Sequence, residues 1–142
     1  MPDSSVELPA IEAAVRELYA VISIKKGEIP DWEKFRGLFY PGARLISNSA
    51  AEPFVWTVKE FISYYKERIG DNTVREFYEG EISHKTEIFG KIAHRFSTYE
   101  ARPYKRGINS IQLMKVNDQW LVTSLIWNDE DSDFPIPETY LA

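Results

Sequence analysis

The apolar positions of the chain change their period once, near Gly70. Before it they recur every three or four residues; after it they alternate. Over 4–27, Leu8, Ile11, Val15, Leu18, Tyr19 and Ile22 form one stripe at helical spacing, which predicts a first helix stopped at Gly27. Its start is open by a turn, because Ser4 and Glu7 have capping-box spacing while Pro9 suits a first turn. A second, short helix over 30–42 buries Trp32, Phe35, Leu38 and Phe39, with Asp31 as N-cap and Pro41-Gly42 as its end. A short strand follows at 43–47, then a loop broken by Pro53. The third helix, 57–70, carries the stripe Val58, Phe61, Ile62, Tyr65 and Ile69. Thr57 and Glu60 are spaced as a capping box and Gly70 is the stop.

After Gly70 the alternation predicts two hairpins. The first spans 73–102 and turns at Gly90-Lys91; the second spans 106–127 and turns at Asn117-Asp118. The tail, 129–142, is acidic, holds two prolines and is expected as an irregular segment on the surface. Segregated helices and strands predict an α+β fold, with three N-terminal helices packed on a strongly curved antiparallel sheet. The chain 1–142 reads as a single domain with its core at about 8–128. The second hairpin carries large side chains on both faces. One face is then expected to meet the helices and a cavity, and the other a second copy of the chain.

Composition narrows the function. Aromatic residues make up 14% of the chain, enough to line a cavity. The net charge of −5 argues against a nucleic-acid partner. With no cysteine, disulfides, thiolate metal sites and cysteine nucleophiles are excluded, and two histidines are too few to nominate a metal site. No cofactor is implied. The chain has no apolar run of membrane-spanning length and no signal-like N-terminus, so a cytoplasmic protein without a membrane partner is expected.

The order of elements resembles the nuclear transport factor 2-like superfamily, the cone-shaped, cystatin-like fold of ketosteroid isomerases, scytalone dehydratase and SnoaL-like cyclases. "DWEKFRGLFYPGARLIS" resembles its passage from helix to first strand. "FGKIAHRFSTYEAR" followed by "RGINSIQLMKVNDQWLVTSLIW" is similar to bacterial members without an assigned function. The resemblance covers roughly residues 8–128 and implies an internal pocket. It puts Tyr19 at the place of an oxyanion-hole tyrosine. Ser47 or Asn48 falls where the isomerases keep a general base, and the place of their second acid falls near Ile111. With two of the three roles missing, ketosteroid isomerase chemistry is not expected.

The predicted turns set a register. In it Phe96, Thr98, Glu100, Asn109, Ile111, Leu113, Trp120, Val122, Ser124 and Ile126 share one sheet face. By the resemblance this face lines the pocket, with Tyr19, Trp56 and Phe61 added from the helical side. The other face would carry Tyr99, Ile108, Leu125 and Trp127 into a homodimer. A one-residue bulge would exchange the two sets. The same register sets Glu81 opposite Glu100 and Glu87 opposite His94. Glu81, Glu100 and His94 are therefore the candidate acid–base residues. The leading expectation is a small-molecule-binding protein with an apolar, aromatic-lined pocket and a small organic ligand. The alternatives are a cofactor-independent cyclase, isomerase or dehydratase, and a dimeric interaction module.

Overall fold

The computed structural model describes residues 4–102 and 105–142. The helices are α1 (Ser4–Ile22), α2 (Trp32–Gly37) and α3 (Val58–Gly70). The strands are β1 (Phe39–Ser47), β2 (Phe54–Thr57), β3 (Tyr78–Phe89), β4 (Ile92–Arg102), β5 (Lys105–Val116) and β6 (Gln119–Asp129). One six-stranded sheet runs in the order β2-β1-β6-β5-β4-β3. It is mixed rather than antiparallel throughout, because β1 pairs with β6 in parallel. The three helices cover its concave face.

Local signals act as the sequence predicts in most places. Asp31 caps α2 by accepting from Lys34 N at 3.1 Å, and Thr57 and Glu60 form a reciprocal capping box on α3. Both hairpin turns are two residues long and hold left-handed backbones: Gly90 at φ 55°, Asn117 at 50° and Asp118 at 63°. The Ser4 side chain, and with it the expected Ser4–Glu7 capping box, lies outside the described residues. The Glu7 carboxylate accepts from Lys115 Nζ at 2.7 Å and from Trp120 Nε1 at 2.6 Å. That pair ties the start of α1 to the tip of the β5–β6 hairpin.

Two elements differ from expectation. The second helix stops at Gly37, and Phe39 already pairs with Val122 in the sheet, where its buried ring meets Phe35 edge-on. The four residues after Pro53 form β2, an edge strand whose Trp56 lies opposite Leu45.

The core lies between α1, α2 and the concave face, with Ile11, Val15, Phe35, Ile111 and Val122 almost fully buried. Three contacts bring the ends of the helices to the mouth of the sheet. Ile24 and Phe77 exchange backbone hydrogen bonds of 2.8 and 2.9 Å, Ser23 Oγ accepts from Glu79 N at 3.1 Å, and the Tyr65 hydroxyl donates to Ile22 O at 2.9 Å.

The strand register corrects the faces expected from the sequence. Ser97 pairs with Asn109 and Tyr99 with Gly107, so odd-numbered residues of β4 share a face with odd-numbered residues of β5. Phe96, Thr98 and Glu100 therefore lie on the convex face, while Tyr99 is buried inside. Two bulges complete the change. On β6, Leu113 faces Val122 but Gln112 faces Ser124, leaving Thr123 unpaired. Leu125, Trp127 and Asp129 then point into the cone, and Ser124 and Ile126 point away. On β3, Ser83 faces Thr98 but Glu81 faces Tyr99, leaving Ile82 unpaired. Glu79 and Glu81 then face inward, and Glu100 is exposed opposite Gly80 and Arg106. A bulge shifts the two-residue period by one, so every side chain beyond it changes face. Of the four residues expected at a dimer face, only Ile108 lies on the convex side. There the C-terminal turn Glu138–Tyr140 packs, its Tyr140 carbonyl accepting from Ser83 Oγ and Thr98 Oγ1.

Candidate functional site

A cavity of about 510 Å³ lies between α1, α3 and the inward face of the sheet. Its wall is largely aromatic. Phe54, Trp56 and Trp127 form a continuous stack, with ring centroids 5.8 and 5.9 Å apart and planes within 11° and 10°. Phe61 meets Trp56 edge-on at 5.5 Å, and Tyr65 meets Phe77 edge-on at 6.3 Å. Offset and edge-on rings of this kind present both π faces and C–H edges to an occupant.

The polar groups form a chain along the inward faces of β3, β4 and β5. Arg95, almost fully buried, grips Glu81 through Nε at 2.9 Å and Nη2 at 2.5 Å, a two-point ion pair. Ser97 donates to Glu81 Oε2 at 2.6 Å, so the Tyr19 hydroxyl, 2.6 Å from Ser97 Oγ, must be the donor in that contact. Its oxygen accepts from Asn109 Nδ2 at 2.9 Å, and the same nitrogen sits 3.3 Å from Glu79 Oε1. The ion pair thus fixes the direction of every bond up to Glu79. The chain starts from His84, whose Nδ1 is 2.9 Å from the Thr86 hydroxyl that Arg95 Nη1 reaches at 3.1 Å.

Glu79 ends this chain in the cavity wall. Burial raises its carboxyl to a pKa of about 7; the Asn109 bond opposes the rise and the nearby Asp129 charge adds to it. Burial and the field of Glu79 raise the Tyr19, Tyr65 and Tyr99 hydroxyls, which stay protonated. Tyr99 donates to Asp129 Oδ1, and Lys105 Nζ lies 3.3 Å from Asp129 Oδ2 at the mouth. Gly107 makes room for this arrangement, since a Cβ there would collide with the Tyr99 hydroxyl and the Asn128 carbonyl. Among the described residues no cluster of three metal-ligating side chains occurs. No described helix is long and apolar enough to cross a membrane.

Of the residues expected in the pocket, Tyr19, Trp56, Phe61 and Asn109 line the cavity. Ile111, Trp120 and Val122 face inward but belong to the solid core. Phe96 and Thr98 pack on the convex face, where Phe96 meets Tyr140, and Ser124 points to that side as well. The candidate acids separate: Glu81 is neutralised by Arg95, Glu100 is exposed, and His94 holds Ser110 Oγ at 3.0 Å on the convex face. Glu79, Tyr99, Trp127 and Asp129 are among the lining residues the sequence reading missed. Acids on both sides of Gly80, at 79 and 81, are the available signal, since an alternating pair of acids faces one way. Which way depends on the bulge at Ile82.

These features define the class. The chain has the nuclear transport factor 2-like, cystatin-like fold, an α+β cone closed by three helices. No family model and no curated protein matches the sequence. Solved structures match it at low identity. A cystatin-like protein of unknown function from Nostoc punctiforme superposes with a TM-score of 0.72 at 12% identity, covering 93% of this chain and 97% of that one. An NTF2-like protein of unknown function from Shewanella baltica gives 0.65 at 16% identity, over 93% of this chain and 100% of the other. A protein from Novosphingobium aromaticivorans, described provisionally as a scytalone dehydratase, gives 0.71 at 16% identity, over 94% of this chain and 91% of that one.

Proposed function

We propose that the cone takes up a small, largely apolar, ring-bearing organic molecule. The observation that supports this most directly is the aromatic cavity of about 510 Å³, a size within the range of small-molecule sites. The stacked Phe54, Trp56 and Trp127 rings offer a flat wall, and the few polar groups sit together near Tyr19, Asn109 and Glu79. Native mass spectrometry of protein purified from its own cells tests the reading. A co-purifying small molecule, displaced when the cavity is filled by substitution, is the expected result. A protein that carries nothing and quenches no tryptophan fluorescence with any aromatic ligand would contradict it.

A second reading is a cofactor-independent enzyme that moves a proton on that molecule, as a cyclase, isomerase or dehydratase does. Glu79 favours it, because a carboxyl with a pKa of about 7 can both take and return a proton at neutral pH. The dehydratase description of the Novosphingobium protein points the same way. Once a ligand is known, Glu79→Gln separates the readings. An enzyme loses turnover by orders of magnitude; a carrier has no turnover to lose.

A further inference from the structure

We infer that the molecule this cavity selects is a cation: an ammonium group carried on an apolar, ring-bearing body, with the ammonium against the Glu79 carboxylate. This rests on the reading of the cone as a small-molecule site and names the ligand's chemistry.

Charge is the first observation. Among the described residues the charged groups lining the cavity are Arg68, Glu79, Lys105 and Asp129. Arg68 lies 3.3 Å from Asp71 and Lys105 lies 3.3 Å from Asp129. Among the described residues Glu79 has no cation beside its carboxylate; the side-chain partner it has there is the neutral Asn109 amide at 3.3 Å. A partly buried carboxylate without a counter-charge is unfavourable, and a ligand that brings the missing positive charge offsets that cost.

Hydrogen bonding is the second. The donors that would receive an anionic or carbonyl group near Glu79 are already used. Tyr19 donates to Ser97, Tyr65 to Ile22 O and Tyr99 to Asp129, while Asn109 Nδ2 serves Tyr19 and Glu79. This end of the cavity offers acceptors and π faces, and an ammonium supplies the donors it lacks. The third observation is the wall itself. Trp56, Phe61, Tyr65, Phe77 and Trp127 all line the cavity, and the faces of such rings attract a desolvated cation.

The groups facing Glu79 are Tyr19 from α1, Tyr65 from α3, Tyr99 from β4, Asn109 from β5 and Asp129 from β6. Lys105 stands further out at the mouth. The tyrosines are held protonated, so they add no negative charge to compete for the ammonium. Glu79 itself must be ionised to receive a cation, and burial keeps it partly protonated at neutral pH. Cation binding is therefore coupled to release of a proton.

Isothermal titration calorimetry with two matched probes, naphthylmethylamine and naphthylmethanol, tests the inference. At about pH 8 the amine is expected to bind at least about tenfold more tightly than the alcohol. Its affinity is expected to fall roughly tenfold by about pH 6, as Glu79 takes up its proton. Glu79→Gln, with its fold checked by circular dichroism, should bring the amine down to the alcohol's affinity and remove the pH dependence. An alcohol that binds as tightly as the amine, or an amine preference that survives Glu79→Gln, overturns the cation inference and leaves the cavity reading standing. If neither probe binds and no molecule co-purifies, the cavity reading falls and the inference falls with it.

Discussion

The Tyr19 hydroxyl lies 2.6 Å from Ser97 Oγ, and Ser97 gives its own proton to Glu81, so the tyrosine spends its proton on the sheet. A tyrosine at this place in the cone could be expected to point a free donor at a ligand. Here it is one bond in a chain anchored by the Arg95–Glu81 ion pair. Its hydroxyl proton is held within the sheet, and the Glu79 carboxyl ends the chain in the cavity wall.

Replacing Tyr19 by Phe tests that assignment. Asn109 then loses an acceptor and Ser97 a donor, both in buried positions. Unfolding in urea should show a loss of about 1–3 kcal/mol, the cost of buried polar groups left unpaired. Affinity for an apolar ligand should change little. The opposite pattern, with stability held and affinity lost, would return Tyr19 to the role of ligand donor.

The pH dependence of stability follows from Glu79. Its folded pKa of about 7 lies above the ordinary value of 4.5, so between the two the native state binds more protons than the unfolded state. Stability from this group is complete below pH 4.5 and is lost as pH rises through about 7. The loss should total about 3 kcal/mol, with Glu79→Gln flattening the curve over that window. Denaturant titrations across the range measure both slopes. Glu7, Glu60, Asp71 and Glu130 act in the other direction. Hydrogen bonds to their ionised forms lower all four, so their contribution is present above the usual carboxylate range and is lost on acidification.

Ala101 is buried in the cavity wall. Ala101→Leu should block ligand uptake while changing stability by less than about 1 kcal/mol, because the new atoms enter empty space. In a filled core the same insertion costs about 1–3 kcal/mol. Paired thermal denaturation and binding measurements decide between a cavity and a packed interior.

Gly107 should tolerate no side chain. A Cβ there would sit 2.5 Å from the Asn128 carbonyl and overlap the Tyr99 hydroxyl. Gly107→Ala is expected to cost about 1–3 kcal/mol by overpacking and to break the Tyr99–Asp129 bond. A variant as stable as the parent in thermal denaturation would show that the two strands can separate locally without loss.

What the sequence determined on its own is local. Helical spacing and capping chemistry fix α1, Asp31 at α2 and the Thr57–Glu60 box at α3, because a helix bonds within itself and its signals lie a few residues apart. The two hairpin turns were equally legible, since Gly90 and Asn117-Asp118 suit the left-handed backbones that two-residue turns need. The order of these elements carries the resemblance to the nuclear transport factor 2-like cone, the fold that the structure has. The tertiary structure decided which side chains face the cavity. Strand periodicity is two, so a single unpaired residue, Ile82 on β3 or Thr123 on β6, exchanges inside for outside for the residues beyond it. Those two bulges bring Glu79, Trp127 and Asp129 into the cone. The pairing of β4 with β5 places Tyr99 beside them and sends Phe96, Thr98 and Glu100 to the convex face. Nothing in the alternation of residues distinguishes the two outcomes, because both faces of these strands carry large side chains. Only the packing of the helices against one face, and the buried Arg95–Glu81 pair it encloses, selects between them.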